Sequence, residues 1–166
     1  MPASTILVYL LRRDLRVSDN PILDRLATTD HAFTHLLPVY IFDAQQMETS
    51  GFVQCSTSPY PEARSRVAGY RRCGPHRAKF VAQSVWKLKE AYESLGCGMI
   101  MRVGLFRDVV EHLLDGLPSD TQVGAVWMTE DIGVEEERDE KAVRKVCKER
   151  GVEFQLWKDE KYYIDE

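Results

Sequence analysis

Three groups of residues in this sequence have the chemistry to bind or act on something. The first is an acidic run, Glu135-Glu136-Glu137, at the opening of a helix that directly follows a strand. Carboxylates there are favoured by the positive helix end, and an ionised acceptor makes stronger hydrogen bonds than a neutral one. The run also has a purely structural explanation, since acidic residues suit any first helical turn. Glu137 to Lys141 and Glu140 to Arg144 would then add spaced pairs on a solvated face. The second group is Arg12-Arg13-Asp14-Leu15-Arg16, with Asp19 and Asn20 close behind. Its charges either line a ligand cleft at a strand end or pair with each other and with a second domain docked against them. The third is the basic stretch 56–79, where Arg64, Arg66, Arg71, Arg72, Arg77 and Lys79 are interleaved with Tyr60 and Tyr70. Basic residues with aromatics are able to contact nucleic acid; the same composition also suits a solvated loop.

Metal and thiol chemistry find little support. The four cysteines, Cys55, Cys73, Cys97 and Cys147, are scattered without a Cys-x-x-Cys pair, and of the four histidines only His31 and His35 stand four apart, where a helix gives way to a strand. Reduced thiols in an intracellular compartment are the expectation, with cytoplasm, nucleus and organelle not distinguished. A net charge of −4 argues against a chain whose main task is gripping phosphate backbones. The early apolar run is too short for a secretory signal, and no stretch of about 20 apolar residues is present to cross a membrane.

Strands and helices must position these groups, and they alternate regularly. Ile6 to Leu11 is a short run rich in branched residues, the pattern of a strand buried on both faces. Asn20-Pro21 then caps and opens a helix to about Asp30. His35 to Phe42 is the second strand, closed by Asp43, with Pro38 near its start. Residues 44–75 lack periodicity and form a long loop, of the kind that serves as a lid or an excursion. His76 to Leu95 reads as a helix with one apolar stripe, Phe80, Val81, Val85, Leu88, Tyr92 and Leu95. Met99 to Val103, a helix carrying Val109 to Leu114, Val123 to Met128, a helix from Val134 to Arg150, and Val152 to Trp157 complete the chain. The expected fold is a single α/β domain over 1–166: a Rossmann-like five-stranded parallel sheet, order 3-2-1-4-5, with helices on both faces. No glycine-rich phosphate loop follows the first strand. Such sheets bind ligands beyond the carboxyl ends of their strands.

Several motifs in fixed register resemble the photolyase/cryptochrome family. Leu11-Arg12-Arg13-Asp14-Leu15-Arg16, then Asp19-Asn20-Pro21 and Leu23, is similar to that family's amino-terminal signature, with Leu10 and Leu11 where an aromatic pair usually stands. Gly74-Pro75-His76-Arg77-Ala78 with Phe80, Ser84-Val85 and Leu88 resembles the long helix of the DASH-type branch. Gly96, Arg102-Val103-Gly104, Asp108-Val109, Trp157 and Tyr163-Ile164-Asp165 extend the likeness along nearly the whole chain.

The resemblance implies the amino-terminal antenna domain of a blue-light flavoprotein that repairs pyrimidine dimers in single-stranded DNA or signals. The helical domain that holds FAD is absent from this chain, so the chain alone is expected to be catalytically inactive and monomeric. Its partners would be that helical domain and, through the full-length protein, DNA. Relatives carrying a reduced-folate antenna place an acidic residue at the turn matching Glu135, Glu136 or Glu137, which implies methenyltetrahydrofolate as the pigment. A pterin presents an exocyclic amine beside a ring N–H, two parallel donors that one carboxylate accepts together. Arg12, Arg13, Asp14, Arg16, Asp19 and Asn20 would fix how the helical domain docks. The family's electron-relay tryptophans belong to the helical domain, which leaves Trp86, Trp127 and Trp157 as core or interface residues. Two other classes remain open: a nucleotide-binding enzyme of the adenine-nucleotide hydrolase type, and an interaction module that uses loop 56–79.

Overall fold

A computed structural model describes residues 4–49, 57–118 and 121–159. Cys55, Ser56 and Tyr163-Ile164-Asp165 lie outside the described residues. Strands β1 (Ser4–Leu11), β2 (His35–Asp43), β3 (Ile100–Gly104), β4 (Thr121–Thr129) and β5 (Glu153–Trp157) alternate with helices α1 (Pro21–Thr28), α2 (Pro75–Ser94), α3 (Phe106–Asp115) and α4 (Val134–Glu149). All strand pairs are parallel, and the order is β3-β2-β1-β4-β5, as the alternation predicts.

Two apolar layers sandwich the sheet. Leu7, Tyr9 and Leu11 of β1 pack with Ile22 of α1 and with Val85, Leu88 and Tyr92 of α2. Val8 and Leu10, pointing the other way, pack with Phe106 and Val110 of α3 and with Val143, Val146 and Cys147 of α4. β1 therefore reads as an unbroken apolar run because both of its faces are covered. Pro38 sits one residue ahead of the first β2–β3 pair, Val39 with Ile100, on the part of β2 that β3 has not yet joined. Gly124 admits the close approach of β4 to its neighbours: a Cβ there would lie 2.7 Å from the Thr5 methyl and 2.9 Å from the Phe33 ring.

Local signals explain the helix ends. Gly96 and Gly151 adopt positive φ, and Cys97 and Val152 return their N–H groups to Tyr92 and Cys147, closing α2 and α4. The α2 stripe is narrower than its sequence pattern. Val85, Leu88 and Tyr92 are buried, but Phe80 is 69% and Leu95 72% exposed. Phe80 lies about 100° around the helix from Val81, and Leu95 is the capping residue, beyond the periodic turns. Trp127 in the core and the half-buried Trp157 meet at a tilt of 55°, their ring centroids 4.8 Å apart, whereas Trp86 is exposed. Cys73, Cys97 and Cys147 are free thiols.

Candidate functional site at the carboxyl edge of the sheet

Beyond the carboxyl ends of β1 and β2 lies a cavity of about 220 Å³, walled by Arg12, Arg13, Tyr40, Asp43, Phe106, Glu136 and Asp139, with Arg77 and Phe80 at its α2 side. The loop after β1 builds it. Arg12 turns inward: one guanidinium nitrogen donates to Glu140 Oε1 at 2.7 Å, another to the Glu136 carbonyl at 2.8 Å, and the group lies 5.3 Å from the Phe106 ring. Glu140 Oε1 also accepts the Asp131 N–H at 3.1 Å. This buried pair clamps the start of α4 to the end of β1.

The rest of that loop is more exposed, except for the Asp14 side chain. Arg13 pairs with Glu136 and lies 3.4 Å from Asp131, while Asp14 accepts from Asn20 and meets Arg16. One terminal nitrogen of Arg16 donates to both Asp159 carboxylate oxygens, at 2.9 and 3.0 Å. Asn20 is buried, capping Ile22 and Leu23 and donating to the Tyr9 hydroxyl at 2.8 Å. Asp19 is exposed with φ of 53°. Arg12, Asn20 and Asp14 thus spend their polar groups inside the domain; Arg13, Arg16 and Asp19 are the members of this set nearer the surface.

The three adjacent glutamates fan apart. Glu136 lines the cavity, and a side chain on Gly133 would collide with its carboxylate, so the glycine clears the space it folds into. Glu137 points away and pairs with Lys141 at 3.1 Å. Glu135 receives both terminal nitrogens of Arg72, one at 2.6 Å, and Gln46 at 3.0 Å. The Arg72 bonds, assisted by Gln46, hold the Glu135 carboxyl down at about 2 against the penalty of its burial.

Sequence spacing misjudged Glu140. The expected surface pair with Arg144 does not form, because Glu140 is buried against Arg12 and Arg144 instead lies over the Phe154 ring. The stripe Val143, Val146 and Cys147, extended backward by one and two turns, reaches Asp139, Glu140 and Glu136. That extension was the available signal. It was obscured because the inward positions carry charge.

Asp43 and Asp139 were also missed as site residues. Burial raises the Asp43 carboxyl, and burial followed by repulsion from Asp43 pushes Asp139 up to about 7. Between the ordinary value of 3.8 and about 7 the native state therefore holds a proton that the unfolded chain has lost. The contribution of this group to stability is complete below about pH 4 and declines as the pH rises through 7. Asp139→Asn removes that decline. Its melting temperature should match the wild type near pH 4 and exceed it at pH 8 by the equivalent of roughly 1 kcal/mol, allowing for solvent screening. A gap that does not change with pH would contradict the shift.

Two of the six basic residues of the stretch, Arg64 and Arg72, are tied to protein acceptors, and the other four are exposed. Arg64 bonds Glu62 and the Gly69 carbonyl, Arg72 bonds Glu135, and Arg77 reaches the cavity wall, while Arg66 and Arg71 are exposed. Among the described residues no cluster of potential metal ligands occurs, and no helix is long and apolar enough to cross a membrane.

A parallel sheet in this order, with an arginine-rich loop clamped to α4 at its carboxyl edge, agrees with what comparison finds. The sequence model of the family described as DNA photolyase matches residues 7–163, and the chain belongs to that family. Within it the chain is similar to proteins called cryptochrome DASH. It is 54% identical to a putative cryptochrome DASH of Gibberella zeae over 100% of this chain and 24% of the relative. It is 49% identical to a putative mitochondrial cryptochrome DASH of Neurospora crassa, over 99% of this chain and 23% of that one. The chain thus spans about a quarter of the length of the curated relatives it matches. Among solved structures, a Synechocystis cryptochrome superimposes with a TM-score of 0.73 at 20% identity, covering 93% of this chain and 27% of its own. A Sulfolobus tokodaii photolyase, solved with two FAD molecules, gives 0.65 at 23% identity, covering 93% and 29%.

Proposed function

We propose that this chain is the light-harvesting domain of a DASH-type cryptochrome and that it holds methenyltetrahydrofolate at the first turn of α4. The observation that carries the reading is the state of Glu135. Its carboxylate is fixed at a helix amino terminus, kept ionised, and already engaged by a planar pair of N–H donors from Arg72. A pterin edge offers the same donor pattern. The surroundings fit the remainder of the pigment. In the cavity beyond Gln46, which bonds Glu135, Tyr40, Phe80 and Phe106 give apolar ring faces, and the exposed Arg77 gives a cation for a folate's carboxylates. At about 220 Å³ the cavity lies below the ~300–1,000 Å³ of pockets for drug-sized ligands, so it takes a ring system and leaves a tail outside.

When bound, the pigment would absorb light and pass excitation on. The chain's own residues bind and orient it without making or breaking bonds. The flavin FAD, the repair of pyrimidine dimers in DNA and any signalling belong to the full-length protein, whose helical domain would dock on the Arg13, Asp14, Arg16 and Asp19 side. The relatives that share the fold are four times as long, which leaves room for such a domain.

The test is a fluorescence titration of the chain with methenyltetrahydrofolate. Glu135→Gln should weaken binding about 30-fold or more, the loss of a charged acceptor for two donors. Glu136→Gln should weaken it less, and Glu137→Gln should leave it unchanged because Glu137 faces away. Equal affinity for Glu135→Gln and the wild type would remove the assignment.

A further inference from the structure

We propose that Arg72 is a resident competitor for the pigment site: its guanidinium fills the two-donor seat on Glu135, and a pterin must displace it to bind. This inference rests on the folate reading and deepens it. A guanidinium and an aminopyrimidinone edge both offer two parallel N–H donors in one plane, and one carboxylate cannot accept both groups in that way at once.

The surroundings of Arg72 suit a displaceable plug better than a permanent tie. Arg72 and Glu135 line a groove of about 270 Å³ on one side, and Gln46, bonded to Glu135, lines the cavity on the other. The Arg72–Glu135–Gln46 bridge is therefore the partition between the two spaces. The side chain of Arg72 is 21% exposed, so a released guanidinium reaches solvent without crossing the core. The segment around it, 57–74, is held lightly. Val67 and Tyr70 are exposed, and the inward anchors among the described residues include Ala63, the Thr49–Ser58 hydroxyl contact, Tyr60 against Gly104, Cys73 against the core, and an Arg72 bond of 3.4 Å to the Gln45 carbonyl. Withdrawing Arg72 gives up its Gln45 bond, leaves the other anchors in place and opens the Glu135 carboxylate to the groove, with Gln46 still bonded to it on the cavity side.

Loading of the pigment and closure of this segment are then mutually exclusive. The first consequence is affinity: Arg72→Ala should bind methenyltetrahydrofolate about 3- to 10-fold more tightly than wild type, and Arg72→Lys, charged but unable to fork, should fall between. The second is exposure: adding the folate to wild-type chain should speed tryptic cleavage after Arg66, Arg71 and Arg72, with circular dichroism unchanged. If Glu135→Gln weakens binding while Arg72→Ala binds no better than wild type, the competitor role is wrong and the folate reading stands. If Glu135→Gln binds as wild type does, or if neither wild type nor Arg72→Ala binds the folate, the reading beneath fails and the competitor role falls with it.

Discussion

Glu140→Ala is expected to destabilise the chain by about 3–5 kcal/mol, the cost of leaving one member of a buried ion pair unmatched. Glu140 accepts from both Arg12 and the Asp131 N–H, and the side chains of Arg12 and Glu140 are 5% and 7% exposed. Its removal leaves a nearly buried guanidinium with only the Glu136 carbonyl and takes away the acceptor of the Asp131 N–H. For a domain whose whole stability is of order 5–15 kcal/mol, this is a large fraction, visible as a fall in melting temperature of about 10 °C. The double variant Arg12→Met with Glu140→Leu should recover most of that loss, because removing both charges also removes their desolvation cost. Urea midpoints for the three proteins decide the matter. A loss below about 1 kcal/mol for Glu140→Ala would mean the pair is solvated and is not the clamp described here.

Asn20→Ala is expected to cost about 2–4 kcal/mol, combining a lost helix cap with an orphaned buried hydroxyl. The Asn20 carbonyl oxygen caps two N–H groups of α1, and its amide nitrogen joins the Tyr9 hydroxyl to Asp14. Burial already pushes the Tyr9 phenol up to about 12, against the help it gets from Asn20. Asn20→Asp separates the two roles. It retains the cap but sets a second carboxylate beside Asp14, so it should lose part of the stability and lose more as the pH rises above the carboxyl range. Tyr9→Phe, which removes the hydroxyl instead, should cost only about 1 kcal/mol. Thermal melts of the three variants test this; an Asn20→Ala protein as stable as wild type would contradict it.

Most of the architecture was legible because local and global signals coincide. The apolar run of β1, the Asn20-Pro21 start of α1, and the glycines after α2 and α4 each have one strong interpretation, and together they leave few topologies. Charged residues on an inward face were harder. Glu140 and Asp139 sit where periodicity calls for apolar side chains, and only the burial of Arg12 explains why a carboxylate is tolerated there. Pairing by spacing along one helix favoured Arg144 for Glu140, whereas the partner lies 128 residues away in sequence. The Arg72–Glu135 fork was invisible for a similar reason. Both residues were singled out separately, but the basic loop gave no period from which to infer that Arg72 would face α4. Asp43, at the end of β2, was marked by its position alone; its proximity to Asp139 depends on α4 packing on the sheet face to which β2 contributes Val39 and Ile41.

The most direct test of the antenna assignment is an absorption spectrum of the purified chain after separate incubation with methenyltetrahydrofolate and with flavins, each followed by desalting. The account predicts a folate band that stays with the wild-type protein and is strongly reduced when Glu135 and Glu136 are both changed to alanine. No retained folate band, or a band of equal strength in that variant, would contradict it.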